Sequence, residues 1–364
     1  MAIQLLRRHV DHQPSQHRTK PCRWKLLLAA STLILLLCRD QPSIYQLSSS
    51  KTATTPTSSN DITDPIFGKA FLRTNRYRNA TTTLQWQVWN RSTALTQHDV
   101  TCEWATFKPF RATTTLQTDP KICTYPRHQD RIVSASLKRK GHWGDCNVLS
   151  GLWTEAVARI HNRNSNNNNT SHEEDGKTMI YLEAGGNIGS CVMEMLHSTD
   201  AKIVVAEPHP RNQAQMTTTL MALPEDMRNR VTLFPIGVGD TASTFPLNMA
   251  SNNAGNSVIN AFVKDAPSQQ FLAPIQVSVE RLDSLLNSNS VTIPLFKMDI
   301  QGFECRALDG MTSLLSRIDT IRTEVAPPFL LEQGCSPEGL KSRFTNNGFK
   351  IVSAGADLTA IRTS

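Results

Sequence analysis

Apolar residues in the second half of the chain come in short runs, each closed by an acid or a glycine. Met179–Leu182 runs into Glu183 and then breaks into Gly185, Gly186 and Gly189. Ile203–Ala206 ends in Glu207, and Val231–Val238 ends in Gly239 and Asp240. Unbroken runs of this length, with little alternation, predict parallel strands buried on both faces. Between the strands the period lengthens. Arg211–Leu223 has helical character and is stopped by Pro224. Val148, Leu149, Leu152, Ala156 and Ile160 share one helical face behind Asp145, which is placed as an N-cap. Val277–Asp283 reads as a strand entering a helix, with Asp283 as a structural cap.

The alternation continues to the C-terminus. Phe296–Ile300 is a buried strand that carries the charged pair Lys297 and Asp299, a costly arrangement unless the charges are paired or used. Gly302 then turns the chain into a helix bearing Glu304 and Leu308. Thr320–Val325 is a further strand and brings Glu324 to the same rim. Gly348–Ser353 and Leu358–Arg362 read as a closing antiparallel hairpin. The pattern predicts an α/β fold, a Rossmann-like doubly wound and mostly parallel seven-stranded sheet, with the domain over 146–364. In such sheets ligands bind beyond the carboxyl ends of the strands.

The glycine turn narrows the ligand. A dinucleotide fingerprint, G-x-G-x-x-G, needs glycine where Asn187 and Ser190 stand. Glu183 inside the turn would repel a pyrophosphate but suits an ammonium group, and Glu207 can accept both hydroxyls of an unphosphorylated ribose. S-adenosylmethionine combines an amino-acid head, a free ribose and no phosphate. Asp240 is placed either to reach an adenine amino group or to serve as a turn aspartate. Asn252–Ser257 is a polar loop that could lie over a ligand.

Composition changes the picture mainly at the N-terminus. Of the formal net charge of +7 over 364 residues, Arg7, Arg8, Arg18, Lys20, Arg23 and Lys25 against Asp11 place +5 in residues 1–25. The body is left at +2, too little for a broad phosphate-binding face, so nucleic acid is not an expected partner. The basic segment precedes an uncharged apolar run, Leu26–Cys38. This order predicts a cytoplasmic tail (1–25), a single-pass signal anchor (26–38) and a lumenal remainder in the Golgi or endoplasmic reticulum. A secreted or organelle-targeted product is the alternative, because 13 residues are short of a full span. Residues 39–79 form a Ser/Thr/Pro-rich stalk, and sequons at Asn79, Asn90, Asn168 and Asn169 agree with a lumenal glycoprotein.

Residues 80–145 show no clean period, and Trp86, Trp89 and Trp104 suggest a small packed cap. His142, at its end, reads as a base, a lid residue or an exposed loop histidine. Of eight cysteines, six lie beyond the apolar run and allow up to three disulfides in fifteen connectivities, with Cys191 expected to be buried. Arg163–Ser171 is a low-complexity loop. No cysteine or histidine spacing supports a metal site.

Three ordered motifs, Glu183–Gly189, Ala206–Pro210 and Lys297–Glu304, resemble the FkbM-type S-adenosylmethionine-dependent methyltransferases over about residues 130–355. The resemblance implies a class I methyltransferase sheet and methyl transfer to an oxygen of a sugar or related small molecule or glycan. It assigns Glu183, Gly185, Asn187 and Gly189 to the methionine moiety, Glu207 to the ribose and Asp299 to the neighbourhood of the reacting methyl, with Gly186 also among the cofactor-binding residues. Asp299, Glu324 and His142 are the candidate catalytic groups. Two positions depart from the family pattern. Glu183 replaces the usual aspartate, and Gln301 stands where a glutamate is common, removing a charge beside the cleft. A catalytically silent binding module is therefore one rival reading, and a nicotinamide-dependent oxidoreductase is the other.

Overall fold

The computed structural model describes residues 101–111, 119–166, 177–260 and 271–363. The tail, apolar run and stalk (1–79), the cap up to residue 100 with Trp86 and Trp89, and all four sequons lie outside the described residues. Among the described residues no helix is long and apolar enough to cross a membrane.

The described chain opens with a hairpin, β1 (Glu103–Thr106) and β2 (Lys121–Thr124), paired antiparallel. Helix α1 (Val133–Lys140) follows, capped by Asp130, whose carboxylate accepts from the backbone N–H of Ile132, Val133 and Ser134. Neither the hairpin nor α1 is legible in the hydrophobic period. A 3-10 turn, Gly144–Cys146, precedes α2 (Leu149–Asn166). Asp145 is therefore inside that turn and does not cap α2; Val148 is exposed, while Leu149, Ala156 and Ile160 are buried as their spacing requires.

The doubly wound core begins at β3 (Thr178–Ala184), α3 (Ser190–Ser198), β4 (Lys202–Ala206), α4 (Pro210–Met221), α5 (Glu225–Arg228) and β5 (Val231–Phe234). The expected third strand stops at Phe234. Gly237–Val238 is instead β6 and joins a separate four-stranded sheet with β7 (Ser243–Asn248), β8 (Val258–Ile259) and β9 (Ile275–Glu280), in the order β6-β9-β7-β8. Helix α6 (Leu282–Leu285), β10 (Val291–Met298), α7 (Glu304–Asp309), α8 (Thr312–Leu315) and β11 (Ile318–Glu324) complete the second half. Asp283 caps α8 rather than its own helix, its carboxylate accepting from the N–H of Ser313 and Leu314. Helices α9 (Pro327–Glu332) and α10 (Pro337–Asn346) lead to β12 (Phe349–Ser353) and β13 (Asp357–Arg362).

The main sheet has seven strands in the order β12-β13-β11-β10-β3-β4-β5. The last strand folds back antiparallel between β11 and β12, so the terminal hairpin is built into the sheet edge. Successive residues of β3 alternate between two cores. Ile180, Leu182 and Ala184 face the core shared with α7, α8 and α10, while Tyr181 faces the core shared with α2, α3 and α4. Strands β3, β4 and β10 stop in register at Ala184, Ala206 and Met298, which sets their following turns side by side on one rim.

The six described cysteines form Cys102–Cys123, Cys146–Cys191 and Cys305–Cys335. Cys146–Cys191 ties the turn before α2 to the first turn of α3, the helix that follows the glycines, and both sulfurs' residues are buried.

Candidate active site

At the end of β3 the chain must reverse without leaving β4, and the glycines make this possible. Gly185 and Gly186 donate to the carbonyl of Ala206 on β4 at 2.9 and 3.2 Å. Gly185 is left-handed (φ 83°), and a Cβ there would lie 1.8 Å from the carbonyl oxygen of Asp299. Gly189 is also left-handed (φ 86°) and opens α3, packed on Met216. Asn187 takes the same conformation (φ 49°), which asparagine tolerates better than most residues.

The turn is fixed from the next strand. Glu207 is 4% exposed, and its carboxylate accepts from the N–H of Asn187 (2.7 Å), the N–H of His209 (2.8 Å) and the Asn212 amide (3.4 Å). Burial pushes its carboxyl up to about 7, against the pull of these donors. A cavity with about 560 Å³ of open space lies above it. One wall is polar, with Asn187, Glu207, His209, Asn212, Asp299 and Gln301. The other is apolar, with Ile236, Val238, Leu247, Ile259 and Phe303. Ala254, Gly255 and Ser257 also line it, so the polar loop expected near the ligand does border the cavity. No lysine or arginine is among its lining residues.

Asp299 and Gln301 form one end of this cavity. Asp299 follows β10, with its backbone N–H on Ala184 of β3 at 3.0 Å. The Gln301 side-chain amide donates to Asp299 Oδ1 and to Glu324 Oε2, both at 2.8 Å. Burial and the Asp299 charge push the Glu324 carboxyl up to about 9. Glu324 does not itself line the cavity; it meets Asp299 directly, by a side-chain hydrogen bond, and also through Gln301.

Other expected site residues are placed differently. Glu183 is 1% exposed and faces the α2/α3 side, paired with Lys297 Nζ at 3.2 Å and accepting from the Tyr181 hydroxyl at 3.1 Å. It braces the rim from behind rather than touching the cavity, because its position in β3 alternates away from it. Lys297 stays charged: burial opposes its ammonium, but the Glu183 and Asp299 carboxylates outweigh burial and raise it. Gly186 packs on Val205 and Met216, behind the cavity wall. Asp240 lies 3.6 Å from Arg306, and its carbonyl accepts from Arg281, so its environment is a turn aspartate's. His142 packs tilted against Phe110 with ring centroids 4.2 Å apart, outside the cavity lining.

Two features escaped the sequence pattern. Asn212 sits on the first turn of α4, five residues past Glu207, where a polar residue at that offset was the only signal. Asp145 arrives from the cap; burial, Asp357 and Asp299 raise its carboxyl while Lys297 lowers it, so it shares the charge field of the rim. Nothing in the local sequence marks it, since Asp299 is about 150 residues away.

These buried acids predict an unusual pH response. Glu207 and Glu304, both at about 7, and Glu324, at about 9, are raised above the ordinary carboxylate range by burial. Between that range and the raised values the native state holds more protons than the unfolded chain, so stability falls as pH rises. The melting temperature of the ligand-free protein is expected to fall from pH 5 to pH 9, and Glu324→Gln is expected to flatten the part above pH 7. A melting temperature that is level or rising across this interval would contradict the assignment.

The seven-stranded order, the glycine turn and a cavity at the strand ends define a doubly wound α/β sheet with a ligand crevice at the carboxyl ends of its strands. Residues 183–351 match the family model of the methyltransferase FkbM domain. No curated protein matches the chain. Among solved structures it is similar to a precorrin-6y C5,15-methyltransferase from Geobacter metallireducens (12% identity, 51% of this chain and 81% of that one, TM-score 0.28). It is also similar to the glycopeptide N-methyltransferase MtfA complexed with S-adenosyl-L-methionine (12% identity, 58% and 87%, TM-score 0.27). A third similarity is to a fibrillarin/Nop5p complex (12% identity, 70% and 100%, TM-score 0.31).

Proposed function

We propose that this chain is an S-adenosylmethionine-dependent O-methyltransferase acting on a hydroxyl of a small-molecule or glycan acceptor. The observation that carries the reading is the two-sided cavity over Glu207. Its apolar wall suits a flat base, its buried carboxylate suits a ribose diol, and Asp299 and Gln301 close the polar end. The donor set fits a ligand without phosphate, because two carboxylates and no lysine or arginine line the cavity. The same feature disfavours a nicotinamide dinucleotide.

When bound, the sulfonium supplies an electrophilic methyl group. Glu207 and the Asn187 turn hold the nucleoside in place, and the apolar wall excludes water from it. Asp299 accepts the proton of the acceptor hydroxyl as the oxygen–carbon bond forms and the sulfur–carbon bond breaks. Glu324, pushed up to about 9 by burial and the Asp299 charge, keeps its own proton at neutral pH.

The setting belongs to the same proposal: a domain carried in the secretory lumen on a single-pass anchor at residues 26–38, with no nucleic-acid partner. Three disulfides support an oxidising compartment. Calorimetric titration of the full-length protein with S-adenosylmethionine and S-adenosylhomocysteine, with NAD as comparator, tests the reading. Saturable binding of the first two and none of NAD is expected. Failure of both by a folded, disulfide-bonded protein would overturn it. Binding without methyl transfer to any hydroxyl acceptor would favour the silent module.

A further inference from the structure

Gln301 stands in the turn between β10 and α7 with a left-handed backbone (φ 52°), followed by Gly302 (φ 97°). Its side chain is 7% exposed for the whole residue, yet it borders the cavity. The amide nitrogen has two protons, and each meets a different carboxylate, Asp299 Oδ1 and Glu324 Oε2, at 2.8 Å. Both are good hydrogen-bond distances. We propose that Gln301 is a positioning residue for Asp299: its amide ties the Asp299 and Glu324 carboxyls into one unit and keeps Asp299 at the cavity as the proton acceptor.

This role rests on the methyl-transfer reading of the cavity, and it reverses the expectation that losing a carboxylate at 301 weakens the site. The groups facing Asp299 are predominantly acidic. Lys297 on its own strand is 4.0 Å away, with Glu183 of β3 behind it. Glu207 approaches from the end of β4, Glu304 from α7, Glu324 from β11 and Asp145 from the turn before α2. One ammonium group thus serves a field of carboxyls. A glutamate at 301 would put a third carboxyl between Asp299 and Glu324 and remove the amide donor that bridges them, leaving only their direct hydrogen bond. The trio would then need a further proton, and a protonated Asp299 could not accept one from the acceptor hydroxyl. The amide prevents this while filling nearly the same volume.

The test compares the full-length wild type, Gln301→Glu, and the double variant Gln301→Glu/Glu324→Gln, which returns one amide to the trio. Melting temperatures are followed from pH 5 to pH 9, and S-adenosylhomocysteine affinity is measured by calorimetry at pH 7.5. The single variant is expected to lose stability more steeply with rising pH than wild type, with the steep region moved by about one pH unit. The double variant is expected to return towards the wild-type profile. A glutamine with only a packing role would give a uniform drop at every pH. A wild-type pH profile for Gln301→Glu, or no recovery in the double variant, would overturn the proposal. Wild-type affinity for S-adenosylhomocysteine reports separately on the methyl-transfer reading, while the melting profiles decide the tie without any ligand.

Discussion

Replacing Glu207 by alanine is expected to weaken S-adenosylhomocysteine binding by roughly 100-fold or more while the protein stays folded. Two charge-assisted hydrogen bonds to a ribose diol are each worth about 1.5–3 kcal/mol, and losing them accounts for that factor. The loss extends to the turn itself. The N–H groups of Asn187 and His209 both end on this carboxylate, so without it the left-handed Asn187 is no longer held. Glu207→Gln separates the two effects, because it preserves the shape and one acceptor oxygen but removes the charge; an intermediate loss is expected. The proton balance supplies a second signature. The carboxyl sits at about 7, so affinity that depends on the ionised form should decline as pH falls below that value. It should decline by roughly tenfold per pH unit at the limit. Calorimetry at pH 6, 7 and 8 measures this, and wild-type affinity in Glu207→Ala at all three would remove Glu207 from the site.

Gly185→Ala is the second large effect, and it acts through the backbone. The added Cβ would fall 1.8 Å from the carbonyl oxygen of Asp299 and 2.8 Å from its carbon. Neither atom can swing aside, because they belong to the chain leaving β10. The left-handed φ of 83° adds a further penalty of about 1–2 kcal/mol for any residue with a Cβ. A total destabilisation above about 4 kcal/mol is expected, lowering the melting temperature by on the order of 10 °C. Gly334→Ala is the matched control. Gly334 is also left-handed, at φ 75°, but a Cβ there meets nothing within 4 Å. It should show the conformational penalty alone, so equal losses in the two variants would mean that the contact between the β3 turn and the β10 end does not constrain the site. Because the displaced atoms belong to Asp299, Gly185→Ala should also shift Asp299 in the cavity, even in molecules that remain folded.

The two substitutions probe the parts of the site that differ most in how they were legible. Gly185, Asn187, Glu207 and Asp299 are each marked by their position at the end of an apolar run, and all four meet at one cavity. Local sequence sufficed there because a parallel strand, its terminal acid and its turn are contiguous. The same reasoning fails for Glu183. An acid at a strand end reads alike whether it faces a ligand or the opposite core, and the choice depends on the lysine that β10 places across from it in register. For His142 and Asp240 the sequence left a structural reading open beside the functional one, since proximity along the chain to a strand end does not fix the direction of a side chain. The hairpin, α1 and the placement of Asp145 were hidden because their stability comes from contacts with distant elements rather than from an internal period.

By itself, the amino-acid sequence determined the alternation of strands and helices in the main sheet, the glycine turn without a dinucleotide spacing, and the acids at the strand ends. These follow from periodicity and backbone sterics, which act over a few residues. The tertiary structure alone decided which three cysteine pairs form, that β13 inserts antiparallel between β11 and β12, and that Gly237–Val238 leaves the main sheet. It also decided the charge pattern of the rim, where Gln301 joins Asp299 to Glu324 and Lys297 answers Glu183. Those outcomes depend on distances between residues far apart in the chain, and a carboxyl's proton affinity is set by the neighbours and the burial that folding gives it.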